Sequence, residues 1–486
     1  MKQVIITCAF LGVYLSSFAQ VAISNNGALP DANTILDIKS NSKGVKFPRL
    51  TTTERKAMTL SVADAGLMVF DHELNSLFMY DGEAWIPFAY AKSQNPMVVA
   101  GPVNSVTSEA ALGTSCDISG NYAVVGAKND SVGTTGFQGA AYVFEKVNGQ
   151  WLHRARLVAL DGSYANYFGT SVAIEGDYIV VGAPKAKVGS TEPGAAYVFI
   201  RNGLSWTQQA KIYANNASGP FPDFGLSVDI AGASVIVGAP GQNVGVNSQQ
   251  GSSYVFNRSG VAWTLVKEIQ RLNGVALDYF GQSVSMKGDI AVIGTPYADV
   301  AGKTNVGAAS VFLRSGNNFS LMSELTLPSG LANNHMGWSV SVDAGRIAVG
   351  IPNAGISNIN TGWAALYKRQ GNTWYFEDMV APAHPVPMKF GTSVVLIGNL
   401  LLVGAPEEEL GGFVQRGSVY LYDCSGTDPI LKKRITDDNG FSKDLFGTGL
   451  ASDGVSTVIG APGANKITDV NNGKGKVYFG LIEINN

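Results

Sequence analysis

Apolar residues follow strand-like patterns along most of the chain. Between residues 151 and 199, the run 151–160 has the character of a strand, 168–174 alternates between apolar and polar positions, and 179–181 (IVV) is apolar without a break. Alternation indicates a strand with one buried face, and an unbroken run indicates a strand covered on both faces. A fourth run, 195–199, follows a glycine-rich loop. These runs predict four strands of one small sheet.

This pattern returns seven times, at intervals of 56 residues with one of 54. Each copy opens on an apolar residue followed by glycine, and these pairs begin at Leu112, Phe168, Phe224, Phe280, Met336, Phe390 and Phe446. The glycine of a Val-Gly-Ala-Pro-like run follows 14 residues later, at Gly126, Gly182, Gly238, Gly294, Gly350, Gly404 and Gly460. One such sheet cannot bury both its faces, but seven stacked in a ring can. The repeat therefore predicts an all-β fold, a seven-bladed β-propeller.

The two ends of the repeat region indicate how the ring closes. A strand precedes every copy, and residues 97–103 occupy that place ahead of the first. If each blade starts at its Phe-Gly strand, this early strand completes the seventh blade. The aromatic residue of each pair is predicted to be buried between sheets, and the second glycine to allow close backbone approach.

The motifs 168–172 (FGTSV) and 181–184 (VGAP) resemble FG-GAP repeats, which build the seven-bladed propeller of integrin α-chains and of many bacterial surface proteins. The resemblance covers residues 96–486. Integrin-type repeats often carry a calcium loop between the two motif halves. Here that interval is mostly strand, and turns such as 175–177 are too short to wrap a cation. The chain is thus similar to the calcium-free bacterial type, and the integrin calcium sites are not expected.

Residues 1–19 are predicted to be a signal peptide, with Lys2, an apolar stretch at 4–14 and small residues at the cleavage positions. A lipoprotein signal at Cys8 is the weaker alternative. Residues 20–93 lack the repeat and include a predicted hairpin from the runs 66–70 and 77–85. This part resembles a small β-rich module of exported bacterial surface proteins and phage tail-fibre-like proteins, which implies a stalk or homo-oligomer. The propeller is predicted over 94–486.

Composition narrows the classes of partner. The 486 residues are 45% hydrophobic and 15% charged, with a net charge of -3, so neither disorder nor a nucleic-acid surface is indicated. After the signal, no apolar stretch approaches the ~20 residues of a membrane span. The protein is therefore expected to be secreted, at the bacterial cell surface, extracellular or periplasmic. Cys116 and Cys424 fall in repeats that are not neighbours, so no disulfide is predicted.

No catalytic constellation emerges from the residues. In six of the seven copies a serine lies two residues after the glycine of the Phe-Gly-like pair, at Ser115, Ser171, Ser227, Ser283, Ser339 and Ser393. This serine lacks the closing glycine of a nucleophile elbow, so a structural role is favoured. The four histidines, at 72, 153, 335 and 384, show no metal-ligand spacing. We therefore predict no catalytic residue, metal or cofactor.

Three charged segments receive structural interpretations. Asp437, Asp438 and Asp444 are read as a solvated turn, with a weak cation site as the alternative. Residues 407–409 (EEE) are expected to form an exposed acidic loop, and 432–434 (KKR) a solvated strand edge.

The fifth repeat carries the candidate binding residues. Trp338 and Trp363 replace residues that are small or polar in the other copies. A flat aromatic face suits a sugar or peptide ligand, although packing between blades is the favoured interpretation of both tryptophans. The loops 185–193, 241–250 and 355–361 vary between copies and are the predicted contact surface.

Three functions remain open at this point, because a fold does not determine function. The favoured one is a non-catalytic propeller that mediates adhesion by binding a protein or glycan. The alternatives are a carbohydrate hydrolase or lyase, with acidic residues converging on the central axis, and a purely structural surface module.

Overall fold

A computed structural model describes residues 21–24, 36–39, 45–73, 76–80, 85–87, 98–99, 107, 109–343, 345–355, 361–382, 388–426, 428–437, 440–464 and 474–481. The chain divides into two compact units, Met1–Ala91 and Lys92–Asn486. The predicted signal peptide lies outside the described residues.

The first unit is rich in β-structure. Two short strands, β1 (Val21–Ser24) and β2 (Leu36–Lys39), pair in parallel. A four-stranded sheet has the order β3-β4-β5-β6, with β3 (Arg49–Leu50), β4 (Met68–Asp71), β5 (Ser76–Tyr80) and β6 (Trp85–Pro87). The antiparallel pairing of β4 with β5 confirms the predicted hairpin. The helix α1 (Thr52–Lys56) and a 3-10 turn (Val62–Asp64) connect β3 to β4.

A buried ion pair holds this unit together. The Nε of Arg55 donates to Asp71 over 3.0 Å, and both side chains are almost fully buried. The Arg55 guanidinium lies 3.7 Å from the ring centroid of Phe78. The helix that presents Arg55 starts with a capping box, in which Thr51 and Glu54 bind each other's backbone N–H groups.

The described residues of the second unit form 28 strands in seven antiparallel sheets. In chain order they are β7 (Val98–Val99), β8 (Leu112–Ser119), β9 (Tyr122–Ala127), β10 (Ala140–Val147), β11 (Gln150–Leu157), β12 (Ser171–Glu175), β13 (Tyr178–Ala183), β14 (Ala195–Asn202), β15 (Ser205–Ile212), β16 (Ser227–Ala231), β17 (Ser234–Ala239), β18 (Ser252–Ser259), β19 (Ala262–Ile269), β20 (Ser283–Lys287), β21 (Ile290–Thr295), β22 (Ala308–Ser315), β23 (Asn318–Leu325), β24 (Ser339–Asp343), β25 (Arg346–Ile351), β26 (Trp363–Gln370), β27 (Thr373–Val380), β28 (Ser393–Ile397), β29 (Leu400–Ala405), β30 (Ser418–Asp423), β31 (Ile430–Ile435), β32 (Leu450–Ser452), β33 (Ser456–Ala461) and β34 (Lys476–Leu481).

The sheets form a closed ring of seven blades. Six blades use four consecutive strands, from β8–β11 to β28–β31. The seventh has the order β32-β33-β34-β7, and β7 pairs antiparallel with β34 through Val98↔Phe479 and Val99↔Tyr478. The first strand of each blade contacts that of the next, and β32 contacts β8. The predicted all-β propeller and its closure by the strand ahead of the first copy are therefore confirmed.

The repeated residues make the contacts between blades. In six seams the serine hydroxyl donates to the carbonyl of the motif glycine in the next blade, over 2.7–3.0 Å. A Cβ added to Gly182 would lie 2.0 Å from the Gly225 carbonyl oxygen of that neighbour. Phe168 is fully buried among residues of the first and second blades. The predicted roles of serine, glycine and aromatic residue are thus confirmed.

Strand direction separates the connecting segments onto two faces. The loops between second and third strands, and the connectors from each fourth strand to the next blade, lie at one end of the blades, which we name the loop face. The tight hairpins between first and second, and third and fourth, strands lie at the other end, which we name the turn face.

Candidate functional site

Exposed apolar side chains concentrate on the loop face. Those on its loops and connectors are Leu160, Tyr164, Tyr213, Phe221, Val246, Leu272, Val275, Leu277, Leu331, Phe413, Val414 and Phe441. Among the described residues, the hairpins of the turn face expose Leu204, Val261 and Val455. The strands β11, β23, β27, β31 and β34 expose Leu152, Leu321, Tyr375, Phe376, Ile430, Leu431 and Leu481. Exposed apolar side chains gathered on one side of a protein are typical of an interaction surface.

Aromatic contacts order parts of this face. Phe137 contacts Tyr164 edge-on, with ring centroids 6.2 Å apart, and Phe413 contacts Phe441 in the same way at 6.0 Å. The Lys185 ammonium lies 4.4 Å from the ring centroid of Phe221. These contacts hold exposed rings in defined positions, which lowers the entropy lost on binding a ligand.

A chain of side chains crosses the inner part of the loop face in blades four to six. The rings of Tyr279 and Tyr297 have centroids 5.1 Å apart, and those of Tyr297 and His335 are 4.5 Å apart. The amide nitrogen of Asn353 lies 2.5 Å from His335 Nδ1, and its amide oxygen accepts from Lys389. Burial lowers the pKa of His335, and the Lys389 charge lowers it further. All five side chains are half-buried.

The two tryptophans of the fifth repeat both lie at the loop end of their blade. Trp338 follows Gly337 directly ahead of β24 and is half-buried. Trp363 is the first residue of β26, lies opposite Ile351 on β25, and packs against the core shared by blades four and five. No ring contact joins the two within the described residues. Their role in ligand binding remains a prediction.

A central cavity of about 750 Å³ opens at the turn face, lined by the first strands of all seven blades. Asp117 accepts N–H bonds from Ile118 and, in the next blade, Ile174. Asp229 accepts from Ile230 and, in the next blade, Met286. Burial raises the pKa of Asp117 to about 7, with Asp229 adding to the shift, and burial raises that of Asp229 to about 6. These carboxylates connect neighbouring blades.

Two of the charged segments differ from expectation. Glu408, predicted in an exposed loop, is 4% exposed and accepts from the hydroxyl of Tyr420 over 2.9 Å. Arg434, predicted on a solvated edge, donates to the same carboxylate. The two segments come together because β30 places Tyr420 between the loop and β31, so the charges pair inside the blade.

The same arrangement recurs in other blades and was missed at the sequence level. In the first, second, sixth and seventh blades, the third residue of the third strand is tyrosine, and its hydroxyl meets a carboxylate that also pairs with a basic side chain. In the second blade, Tyr197 donates to Asp161 over 2.9 Å, and Lys211 donates to Asp161 over 2.6 Å. The recurring tyrosine could have indicated this arrangement from the sequence. Its acidic partner, however, comes from a different element in different blades.

The predicted solvated turn at Asp437, Asp438 and Asp444 is also wrong in part. Asp444 is 1% exposed, and it accepts from the N–H of Phe441 to fix the connector turn. Asp437 accepts from the Tyr478 hydroxyl, and Asp438 lies outside the described residues. In the part of the chain that the structure describes, no group of three or more His, Cys, Asp or Glu side chains could hold a metal ion.

Comparison with known families agrees with this architecture. FG-GAP repeat models match residues 151–199, 206–256 and 263–312, each running from the fourth strand of one blade to the third strand of the next. No curated protein matches the chain. The chain thus contains FG-GAP repeats, and its seven-bladed propeller is consistent with the integrin-like architecture.

A second family model, the phage tail like trimerisation region, matches residues 23–106. The match extends beyond the first compact unit and includes β7, the closing strand of the propeller. Among the described residues, no helix has the length and apolar character to span a bilayer.

Proposed function

We propose that this protein is an exported, non-catalytic adhesion module of the bacterial cell surface, which binds a protein or glycan through the loop face of its propeller. The observation that carries the proposal is the concentration of exposed apolar and aromatic side chains on that face. FG-GAP repeats and the predicted signal peptide support an extracellular setting. Trp338 and Trp363, at the loop end of the fifth blade, are the proposed ligand contacts there.

The N-terminal part would make the module a homotrimer. The match to a trimerisation region supports this assembly. Three loop faces on one particle would convert weak single contacts into strong attachment, because the second and third binding events become intramolecular. Such multivalency suits an adhesin whose individual sites are shallow.

The test is binding of the labelled full chain to glycan and protein arrays. A variant with Tyr164→Asp and Phe221→Asp places two charges on the loop face, at positions 68% and 52% exposed. Leu204→Asp is the matched control, since Leu204 is 67% exposed on the turn face. We expect the double variant to lose at least tenfold in apparent affinity and the control to bind as wild type. Equal loss in both, or no ligand for the folded chain, would contradict the proposal and favour a purely structural module.

One observation favours the carbohydrate hydrolase or lyase as the second candidate. Asp117 and Asp229 converge on the central cavity, and carboxyl groups with raised pKa values are typical of general acids. Yet both oxygens of each carboxylate accept a backbone N–H, which suits a link between blades better than proton transfer. Polysaccharide turnover that disappears in the Asp117→Asn variant would establish the enzyme instead.

A further inference from the structure

Two positions of the repeat encircle the central axis at the inner edge of the loop face. One is the residue just before each Phe-Gly pair, and the other is the residue just after each Gly-Ala-Pro-like run. Because both adjoin the two innermost strands of a blade, their copies form a ring around the mouth of the channel. We name this set the axial ring.

The axial ring is where the copies differ most in chemistry. In the first, third and seventh blades it consists of the small residues Ala111, Gly241 and Gly463 beside the larger Asn129, Asp223 and Leu445. In blades four to six it consists of Tyr279, Tyr297, His335, Asn353, Lys389 and Glu407, and the first five of these form the chain of contacts described above.

The hydrogen bonds on this arc fix which groups can donate to a ligand. Lys389 can only donate, so the Asn353 oxygen faces it and the Asn353 NH2 group faces His335 Nδ1. Nδ1 is then an acceptor, and the imidazole carries its proton on Nε2. The lowered pKa of His335 keeps the ring neutral near pH 7, so the Nε2–H remains a directed donor.

The two lysines of the axial ring, Lys185 and Lys389, differ in whether a carboxylate neutralises them. Lys185 also belongs to the axial ring, and it pairs with the carboxylate of Asp223. Within the described residues, Lys389 has no carboxylate partner and binds only the neutral Asn353. An ammonium that no carboxylate contacts favours an anionic ligand.

The mouth of the central cavity at the turn face carries mainly negatively charged side chains. At the turn face the cavity is lined by the carboxylates of Asp117, Glu175, Asp229, Asp343 and Asp453. The same lining includes Asp289 and two basic residues, Lys287 and Arg314. An anion is therefore disfavoured at the turn-face mouth.

We infer that the arc of Tyr279, Tyr297, His335 and Lys389 is a binding site for an acidic saccharide, a sugar that carries a carboxylate. This assignment deepens the proposed function and rests on it. The tyrosine rings supply flat apolar faces for the pyranose ring, and His335 Nε2–H and the Lys389 ammonium donate to the sugar carboxylate. A cationic peptide side chain would meet the Lys389 charge and be repelled.

The test is titration of the full chain with two acidic sugars and with their neutral counterparts. Binding is measured by calorimetry or by ligand-observed NMR. The pairs are a galacturonate trisaccharide against its carboxyl-reduced form, and 3′-sialyllactose against lactose. We expect at least one acidic sugar to bind tenfold or more tightly than its neutral partner. Comparable affinity for both members of each pair, or binding of neither acidic sugar, would overturn the inference.

Variants locate the site. Lys389→Gln should weaken acidic-sugar binding about tenfold or more, the loss expected of a charge-assisted bond. Lys432→Gln is the control, because Lys432 lies on the outer strand β31 and pairs with Asp423. Tyr297→Ala should also lose binding, whereas Tyr297→Phe, which keeps the ring, should retain it. Melting curves confirm that each variant is folded.

The variants distinguish a failure of the acidic-sugar site from a failure of the proposed loop-face binding. If Lys389→Gln binds acidic sugars as wild type does while Tyr164→Asp with Phe221→Asp still abolishes array binding, the acidic-sugar site is wrong and the loop-face proposal stands. A peptide or protein that competes at the arc while both sugars fail would likewise overturn the sugar assignment.

Discussion

The glycine of the Gly-Ala-Pro-like run gives the sharpest test of the packing between blades. In Gly182→Ala, the new Cβ would lie 2.0 Å from the Gly225 carbonyl oxygen and 2.3 Å from the Ser171 hydroxyl oxygen. The first of these atoms is backbone of the next blade, so relief requires a shift of about 1 Å in that blade. Overpacking of this kind costs about 1–3 kcal/mol. Loss of the bond from Ser171 to Gly225 adds about 1 kcal/mol, which makes about 2–4 kcal/mol in all.

The assay is denaturant unfolding of the full chain, monitored by far-UV circular dichroism. Gly136→Ala is the matched control, because its Cβ would meet only the Tyr164 ring, at an ordinary 3.5 Å. It should change the free energy of unfolding by no more than about 0.5 kcal/mol. Ser171→Ala alone should cost about 1 kcal/mol. If Gly182→Ala proved as stable as the Gly136→Ala control, the close approach of the blades would be refuted.

Three further outcomes are expected. Deleting residues 96–103 removes β7 (Val98–Val99) from the seventh blade and should abolish the cooperative melt of the propeller in calorimetry, so an unchanged melt would contradict closure by this strand. The Asp229 carboxyl, with its pKa raised to about 6, takes up a proton in the folded state before the unfolded one. Its contribution to stability therefore rises as pH falls from about 7 to about 4, and Asp229→Asn should flatten that rise in urea titrations at several pH values. Asp71→Ala leaves the Arg55 charge buried without its partner and should destabilise the N-terminal unit by about 3–5 kcal/mol in thermal melts, whereas a loss near zero would show that the pair is dispensable.

The fold could be predicted from the sequence because the residues that define it repeat. Gly182, Phe168 and Ser171 each recur at fixed spacing, and each makes a local contact with a neighbouring blade. The closing strand was predictable from counting strands at the two ends. The short extent of its described pairing with β34, at Val98–Val99, could not be predicted, because no residue of this segment marks where the pairing ends.

The charged and axial residues were harder to place because their partners come from elsewhere in the chain. Glu408 reads as part of an acidic loop until β30 and β31 bring Tyr420 and Arg434 to it. His335 showed no metal spacing and was set aside, yet ring closure places it between Tyr297 and Asn353. A comparison of the seven copies at the positions of the axial ring would have drawn attention to these residues, because their side chains differ from copy to copy there.

The central claim is that the propeller binds its ligand without changing it chemically. One measurement tests both the binding and the recovery of an unchanged ligand. The full chain is applied to glycan and protein arrays, each bound component is then incubated with it in solution, and its mass is determined. The account predicts that the ligand is recovered intact and that Tyr164→Asp with Phe221→Asp abolishes capture while Leu204→Asp does not. Cleavage of the bound ligand, or capture that survives the loop-face charges, would contradict it.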